Sequence, residues 1–376
     1  MTDTLVEVGD EVSADPPPPR SRWRRIGWIA SAAWLVALGL QITFLGIPLD
    51  REAVLIWIVA GITVLSIGRR SLWTVLIDWL PFALVLLAYD FARGASVAIS
   101  GYALWTPQLT AEKWLFGGVE PTVWLQSHLK YGYPAWWEAI IGICYASFFL
   151  LPYVVAGVLW LRSRAEFRRW VARFVGLSFV GVVVFILMPA APPWAAAVCT
   201  KAEVASMPAD PPCIDRDPKL SPPDNLLGVV HQLHPPAAPY VERLSARGWE
   251  VLHLNVAKVL LDEGQATVDP VAAIPSLHAG VTLLLVLFLW RRVRRRWWPL
   301  LAIYPLLMAF SLVYTGEHYF VDVLVGWALA ILVTVVAGRI ERRIMRARDP
   351  DTLADNLPSA DLEALCPPTA TTPSSI

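Results

Sequence analysis

The chain alternates long apolar runs with polar stretches that are either arginine-rich or rich in proline. The apolar runs cover about residues 26–46, 53–68, 72–92, 136–161, 170–189, 273–290, 297–314 and 318–338. A helix that crosses the hydrocarbon core of a bilayer needs roughly 17–25 predominantly apolar residues. The pattern therefore predicts an all-α, polytopic membrane protein with about eight transmembrane helices. The second and seventh runs are short or polar at one end.

The polar stretches predict the orientation. Arginines cluster at Arg20, Arg22, Arg24 and Arg25, at Arg69 and Arg70, and at Arg162, Arg164, Arg168 and Arg169. Further clusters lie at Arg291, Arg292, Arg294, Arg295 and Arg296, and at Arg339, Arg342, Arg343, Arg346 and Arg348. With eight spans every cluster falls on one side, and the positive-inside rule puts that side and both termini in the cytoplasm. A plasma-membrane location is expected. Residues 1–22, acidic and then proline-rich, lack the apolar core of a cleavable signal peptide and read as a disordered tail. Residues 349–376 read as a second tail, leaving 23–348 as a single integral-membrane domain.

Two long outer loops remain. In residues 94–135, turn signals (Gly94, Gly101, Pro107, Gly117, Gly118, Pro121) mingle with aromatics and predict short interfacial helices. Residues 190–272 begin proline-dense and turn helix-like from Tyr240 to Leu261, where Val241, Leu244, Trp249, Leu252, Val256 and Leu260 recur at roughly helical spacing. A segment lying on the membrane, a lid over a site, or packing against neighbouring spans would each give that pattern.

Composition agrees with the membrane reading. Of 376 residues, 56% are hydrophobic and 16% charged, where a soluble domain has about 25% charged. The zero formal net charge conceals a strong asymmetry across the membrane. An inner membrane face accounts for the arginines, so no nucleic-acid partner is expected. The tryptophans mark interfaces and core packing, not a cofactor. Cys199 and Cys213 share the second outer loop, where an oxidising side would allow a disulfide or leave two thiols. Cys144 falls in a span and Cys366 in the tail, so neither suggests a zinc site. His231 and His234 are too poorly supported for a metal pair, and Pro235-Pro236 interrupts any helix there. No metal or cofactor is expected.

The candidate chemistry lies at the outer ends of three spans. His278 sits in Pro275-Ser276-Leu277-His278, and His318 in Glu317-His318-Tyr319-Phe320-Val321-Asp322. A titratable residue at the mouth of a transmembrane helix is costly unless used. Arg93, His278, His318 and Asp322 come from remote segments yet share one face and a similar depth. On a helix His318 and Asp322 lie one turn apart. The carboxylate is then expected to accept the imidazole Nδ1–H and leave Nε2 to attack an electrophile. His278 can protonate a leaving oxygen and later deprotonate an acceptor hydroxyl. Arg93 offers a permanently charged fork for phosphate oxygens, or else snorkels at the interface. Asp90 pairs with Arg93 or shapes the acceptor site. Ser276 caps the sixth span, donates to phosphate, or does both. Together these groups describe metal-free phosphoryl transfer through a histidine.

At these residues the chain resembles the type 2 phosphatidic acid phosphatase superfamily, and within it the branch containing inositol-phosphorylceramide synthases. Pro275-Ser276-Leu277-His278 stands for the family's Pro-Ser-Gly-His, and Ser311-Leu312, five residues, His318, three residues, Asp322 for its Ser-Arg-containing segment. Leu312 replaces a phosphate-binding arginine, as that branch tolerates. The family's first motif, Lys, six residues, Arg-Pro, is missing, and Lys113 before Glu120-Pro121 has its spacing with the wrong charge. Tyr89-Asp90-Phe91-Ala92-Arg93-Gly94 and Ala191-Pro192-Pro193-Trp194 resemble that branch's shorter motifs.

The resemblance implies a six-helix phosphatase/phosphotransferase core over about 72–338, with His318 as nucleophile, Asp322 orienting it and His278 as acid/base. It implies transfer of a phosphoryl or phospho-head group, phosphoinositol among the options, from a membrane lipid to a polar alcohol. A lipid phosphatase using water is the near alternative, and a non-catalytic lipid-binding or transport protein a more remote one. Without arginine at 312, Arg93, Lys201, Arg243, Arg247 and Lys258 are the cations open to phosphate, together with amides after Pro275.

Overall fold

The computed structural model describes residues 20–45, 51–67, 71–254 and 271–347. In chain order its helices are α1 (Arg20–Leu40, continued by a π turn to Leu45), α2 (Arg51–Leu65), α3 (Leu72–Ser100), α4 (Pro107–Leu115) and α5 (Pro121–Leu129). They are followed by α6 (Glu138–Arg162), α7 (Arg164–Leu187), the single turns α8 (Pro193–Ala196) and α9 (Gly248–Val251), α10 (Leu277–Leu289), α11 (Trp298–Tyr314) and α12 (Phe320–Ala347). The described residues contain isolated bridges but no strand.

Five helical stretches are long and apolar enough to cross a membrane: Arg25–Phe44, Glu138–Arg162, Arg164–Leu187, Arg295–Tyr314 and Phe320–Arg346. Shorter apolar helices, Leu55–Leu65, Trp73–Tyr89 and Leu277–Leu289, occupy the other expected spans. The all-α, polytopic architecture is therefore as the apolar pattern predicts. Two boundaries move. α1 already begins at Arg20, inside the stretch expected as tail, and α3 continues to Ser100 rather than ending near residue 92.

Aromatic side chains fill the centre of the bundle. Trp79 and Phe82 of α3, Tyr153 of α6, Phe167, Trp170 and Phe174 of α7 and Phe288 of α10 form one buried cluster. At the arginine-rich end, carboxylates tie the helices together. Asp78 accepts from Arg164 Nε at 2.5 Å and from Trp160 Nε1 at 2.8 Å, joining α3, α6 and α7. Glu166 bridges Arg169 at 2.7 Å and Arg292 at 2.6 Å, and Arg173 reaches Glu341 of α12 at 2.6 Å.

At the opposite end, α10 and α12 cross almost in backbone contact. A Cβ on Gly326 would lie 2.2 Å from the Ser276 carbonyl oxygen, and one on Gly280 would lie 3.0 Å from the Gly326 oxygen. Small residues at a crossing are what permit such approach between membrane helices. α11 ends in a Schellman turn, with Glu317 N–H donating to Leu312 O at 3.0 Å and Gly316 N–H to Val313 O at 3.2 Å. Gly316 supplies the left-handed φ of 74° this turn needs. The chain thus reverses within a few residues and delivers His318 to the start of α12.

The first of the two long loops forms the short helices α4 and α5. The second differs from the expected helix over Tyr240–Leu261. Within its described part only Gly248–Val251 is helical, and Val256 and Leu260 lie outside the described residues. Val241, Leu244 and Trp249 are buried nonetheless. The segment is a strap pinned by polar groups rather than a helix. Leu244 N–H donates to Thr315 O at 3.0 Å, and buried Gln126 of α5 bonds the Glu242 carbonyl, its N–H and the Tyr314 carbonyl at 2.8–2.9 Å. Buried Lys130 donates to Tyr240 O at 2.6 Å and pairs with Glu242 at 3.0 Å. Cys199 and Cys213 form a disulfide in this loop, with Cα atoms 5.3 Å apart.

Candidate active site

The α10–α12 crossing brings the two histidine motifs together. The rings of His278 and His318 are 5.8 Å apart, centre to centre, and inclined at 57°. Ser276 caps α10, its Oγ accepting from Ala279 N–H at 3.3 Å, and its own N–H donates to the Asp322 carbonyl at 3.1 Å. His278, the second residue of α10, is therefore positioned from both helices. On its other side it meets α6, stacking on Tyr145 at 4.8 Å and packing on Phe148 at 4.0 Å and Phe149 at 5.7 Å.

His318 is oriented differently from the expected arrangement. Its Nδ1 lies 2.8 Å from the Ala273 carbonyl and 3.8 Å from Asp322 Oδ2. A carbonyl can only accept, so Nδ1 carries the proton and donates it to Ala273. Asp322, wholly buried, spends Oδ2 on Tyr319 N–H at 2.9 Å. The expected Nδ1–H bond to Asp322 is thus replaced by a bond to backbone, with the carboxylate near enough to stabilise an imidazolium. The Ala273 carbonyl is itself held firm, because Ala273 N–H donates to Ala190 O at 3.0 Å and Ala190 N–H to Val271 O at 2.6 Å.

Glu317 precedes the nucleophile candidate and anchors the strap. Arg243 binds it through two parallel contacts, Nε–Oε1 at 2.8 Å and Nη2–Oε2 at 2.9 Å, and Ser245 Oγ donates to Oε1 at 2.5 Å. Burial pushes the Glu317 carboxyl up, but the Arg243 charge and these hydrogen bonds outweigh it and hold it below the ordinary glutamate range. The Arg243 guanidinium lies 4.8 Å from the Trp194 ring centre, and Trp194 N–H donates to Gly316 O at 3.0 Å. The Pro192-Pro193-Trp194 motif therefore meets the His318 turn through Arg243.

Leu312 is wholly buried in an apolar cluster with Tyr145, Ala279 and Val323. Helix packing fills the place where the resemblance leads one to look for arginine. Among the proposed substitutes, Arg243 is engaged by Glu317, and Arg247 is bound to the Tyr131 carbonyl at 2.6 Å and to Glu138 at 3.3 Å. Lys201 is exposed on the loop, and Lys258 lies outside the described residues. Asp90 and Arg93 fall on α3, but their side chains lie outside the described residues. The structure thus unites His278, His318, Asp322 and Ser276. His234 is used in packing, stacked on Tyr131 at 4.3 Å with its Nε2 2.8 Å from the His128 carbonyl.

Sequence reasoning missed the Ala273 carbonyl, the Glu317–Arg243–Trp194 contact and the aromatic wall of α6. Glu317 lies inside the His318 motif, and an acid beside a histidine is a signal for a partner arginine in a loop. The carbonyl left no signal.

Comparison with known proteins gives the family. A sequence model of the PAP2 superfamily matches residues 109–336, more than half of the chain. That stretch holds the Pro192 motif and both histidine motifs, and the Asp90–Arg93 segment precedes it. A phosphoinositol dihydroceramide synthase of Bacteroides thetaiotaomicron is 23% identical over 265 residues, covering 67% of this chain and 73% of that protein. No solved structure matches.

Proposed function

Because this chain belongs to the PAP2 superfamily, with its lipid phosphatases and phosphotransferases, we propose that it moves a phosphoryl or phospho-head group from a membrane lipid to an alcohol through a phosphohistidine. The observation that carries this reading is the pair His278 and His318, 5.8 Å apart, with His318 Nδ1 held by a carbonyl. With the proton on Nδ1, the lone pair of His318 is on Nε2. Nε2 attacks phosphorus, the P–N bond forms, and the ester P–O bond to the lipid breaks. His278 gives its proton to the departing oxygen, then removes the proton of the incoming alcohol as that oxygen attacks phosphorus and the P–N bond breaks. Asp322 stabilises the charge that His318 acquires. Amides in the first turn of α10, and Arg93 from α3, neutralise the phosphate oxygens, where most of the catalytic effect in phosphoryl transfer lies. Ser276 can donate its hydroxyl proton to phosphate while still capping α10, and Asp90 shapes the acceptor side.

The name of the Bacteroides relative makes phosphoinositol the first head group to try. The leucine at 312 and the absent lysine–arginine motif favour transfer over hydrolysis. The one-sided arginine clusters support a site on the outer face of the plasma membrane, with both termini cytoplasmic. Family membership alone fits equally a lipid phosphatase with water as acceptor.

Trapping the intermediate tests the chemistry. Purified protein turning over a phosphorus-labelled lipid is quenched in alkali, where phosphoramidates survive, and its peptides are mapped. Label on the peptide carrying His318, and none in His318→Ala, is the expected result. Undiminished lipid turnover by His318→Ala would refute the histidine nucleophile.

A further inference from the structure

Two glutamates of the first outer loop lie beside the active site and take no part in the reaction described above. Glu112 of α4 is fully buried and Glu120, the N-cap of α5, is 6% exposed. Each uses one carboxyl oxygen on a backbone N–H: Glu112 Oε1 accepts from Phe320, and Glu120 Oε2 from Val123 at 2.6 Å. Phe320 opens α12, two residues beyond His318. The other oxygens, Glu112 Oε2 and Glu120 Oε1, are buried without a hydrogen-bond donor among the described residues. The two carboxyl groups are nevertheless near neighbours, each acting on the protonation of the other. Such a contact is a hydrogen bond only while one of them carries a proton, because an ionised carboxylate cannot donate.

The surroundings make two ionised groups untenable. Asp322 and the Tyr319 hydroxyl face the pair from the start of α12, and Lys113 faces it from α4. Lys113 forms no ion pair with either among the described residues. Two neighbouring buried carboxyls cannot both ionise cheaply, so one of them keeps its proton.

We propose that Glu112 and Glu120 share one proton as a carboxyl–carboxylate pair, and that this protonated pair positions the start of α12 and thereby His318 and Asp322. Glu112 is a positioning residue: one oxygen holds Phe320 N–H, the other binds α4 to α5. Burial, then the Glu120 charge, raises the Glu112 carboxyl far above the ordinary range. A folded-state value raised in this way contributes stability that is complete below the ordinary glutamate range and lost as pH climbs through the raised value. Above that value two negative charges would face each other and Asp322, and the helix start would be pushed from α4.

The test compares Glu112→Gln with Glu112→Leu in the full-length protein. A glutamine amide accepts from Phe320 N–H and donates to Glu120, so it imitates the protonated pair at every pH. Two readouts need no substrate and so stand apart from the functional reading. Infrared difference spectra between wild type and Glu112→Gln should show a protonated-carboxyl C=O band that persists to mildly alkaline pH. The thermal midpoint of wild type should fall as pH rises into that range, and that of Glu112→Gln should stay flat. In turnover assays, which rest on the proposed function, Glu112→Gln should retain activity, while Glu112→Leu loses roughly 10–100-fold in kcat with little change in KM. Absence of the band, or parallel pH–midpoint curves for wild type and Glu112→Gln, would overturn the proposal even if Glu112→Leu fails to fold. Equal losses in the two variants would overturn it as well.

Discussion

Ala273 presents its carbonyl to His318 Nδ1 at 2.8 Å, while Asp322 stands at 3.8 Å. The tautomer of the imidazole is therefore held by backbone, and the carboxylate supplies charge. This division predicts how Asp322→Asn behaves. Where a triad carboxylate alone fixes the tautomer, its amide costs about 10⁴ in kcat. Here the proton stays on Nδ1 without it, so steady-state assays should show a loss of only about 10–100-fold with the donor KM little changed. A 10⁴-fold loss would contradict the role given to Ala273. At this scale His278, His318 and Asp322 were legible because motif, spacing and shared face all pointed to them. Ala273 was not, since every residue has a carbonyl. Tyr145, Phe148 and Phe149 were read as part of an apolar run, which is also what a packing surface looks like.

Between elements, the decisive contact is the crossing of α10 and α12 at Gly280 and Gly326. A methyl group on Gly326 would sit 2.2 Å from the Ser276 carbonyl oxygen, and rigid backbone cannot yield as a side chain can. Gly326→Ala should therefore separate the two histidines, cost about 1–3 kcal/mol of stability and lower kcat about 10-fold or more. Gly39→Ala on α1, with nothing within 4 Å of the added carbon, is the control. Thermal melts and turnover on the same preparations check both; an unaltered kcat in Gly326→Ala would remove the crossing from the account. The spans were legible because apolar runs of that length have few other uses. The strap at Tyr240–Val251 packs as one of the sequence's alternatives allows but is not the helix its spacing suggests, because buried Val241, Leu244 and Trp249 imitate helical spacing while its conformation is dictated by Gln126, Lys130 and Thr315, remote in sequence. Gly248 adds a local reason, since a Cβ there would meet the Glu138 carbonyl at 2.0 Å.

Across the whole molecule the two ends divide the tasks. At one, Asp78, Glu166 and Glu341 gather arginines from α7 and the α10–α11 turn into ion pairs. The clusters that predicted orientation are thus also clamps between helices, a use that charge counting along a chain cannot reveal. At the other end α4, α5, the disulfide-bearing loop and the strap hold the turn that carries His318, through Phe320, Tyr314, Gly316 and Glu317. The arginine expected on family grounds at position 312 gives way to leucine in a packed apolar cluster. The function proposed for this end is transfer of a phospho-group to an alcohol and not to water.

The most direct measurement supplies purified protein in lipid bilayers with phospholipid labelled in the phospho-head group, phosphatidylinositol first, with and without candidate alcohol acceptors, and follows the label by mass spectrometry. Transfer through His318 predicts acceptor-dependent appearance of the label as a new phosphodiester or phosphomonoester of the added alcohol, absent in His318→Ala. Release of the label only as soluble phosphate or free head-group phosphate under every acceptor condition would contradict it.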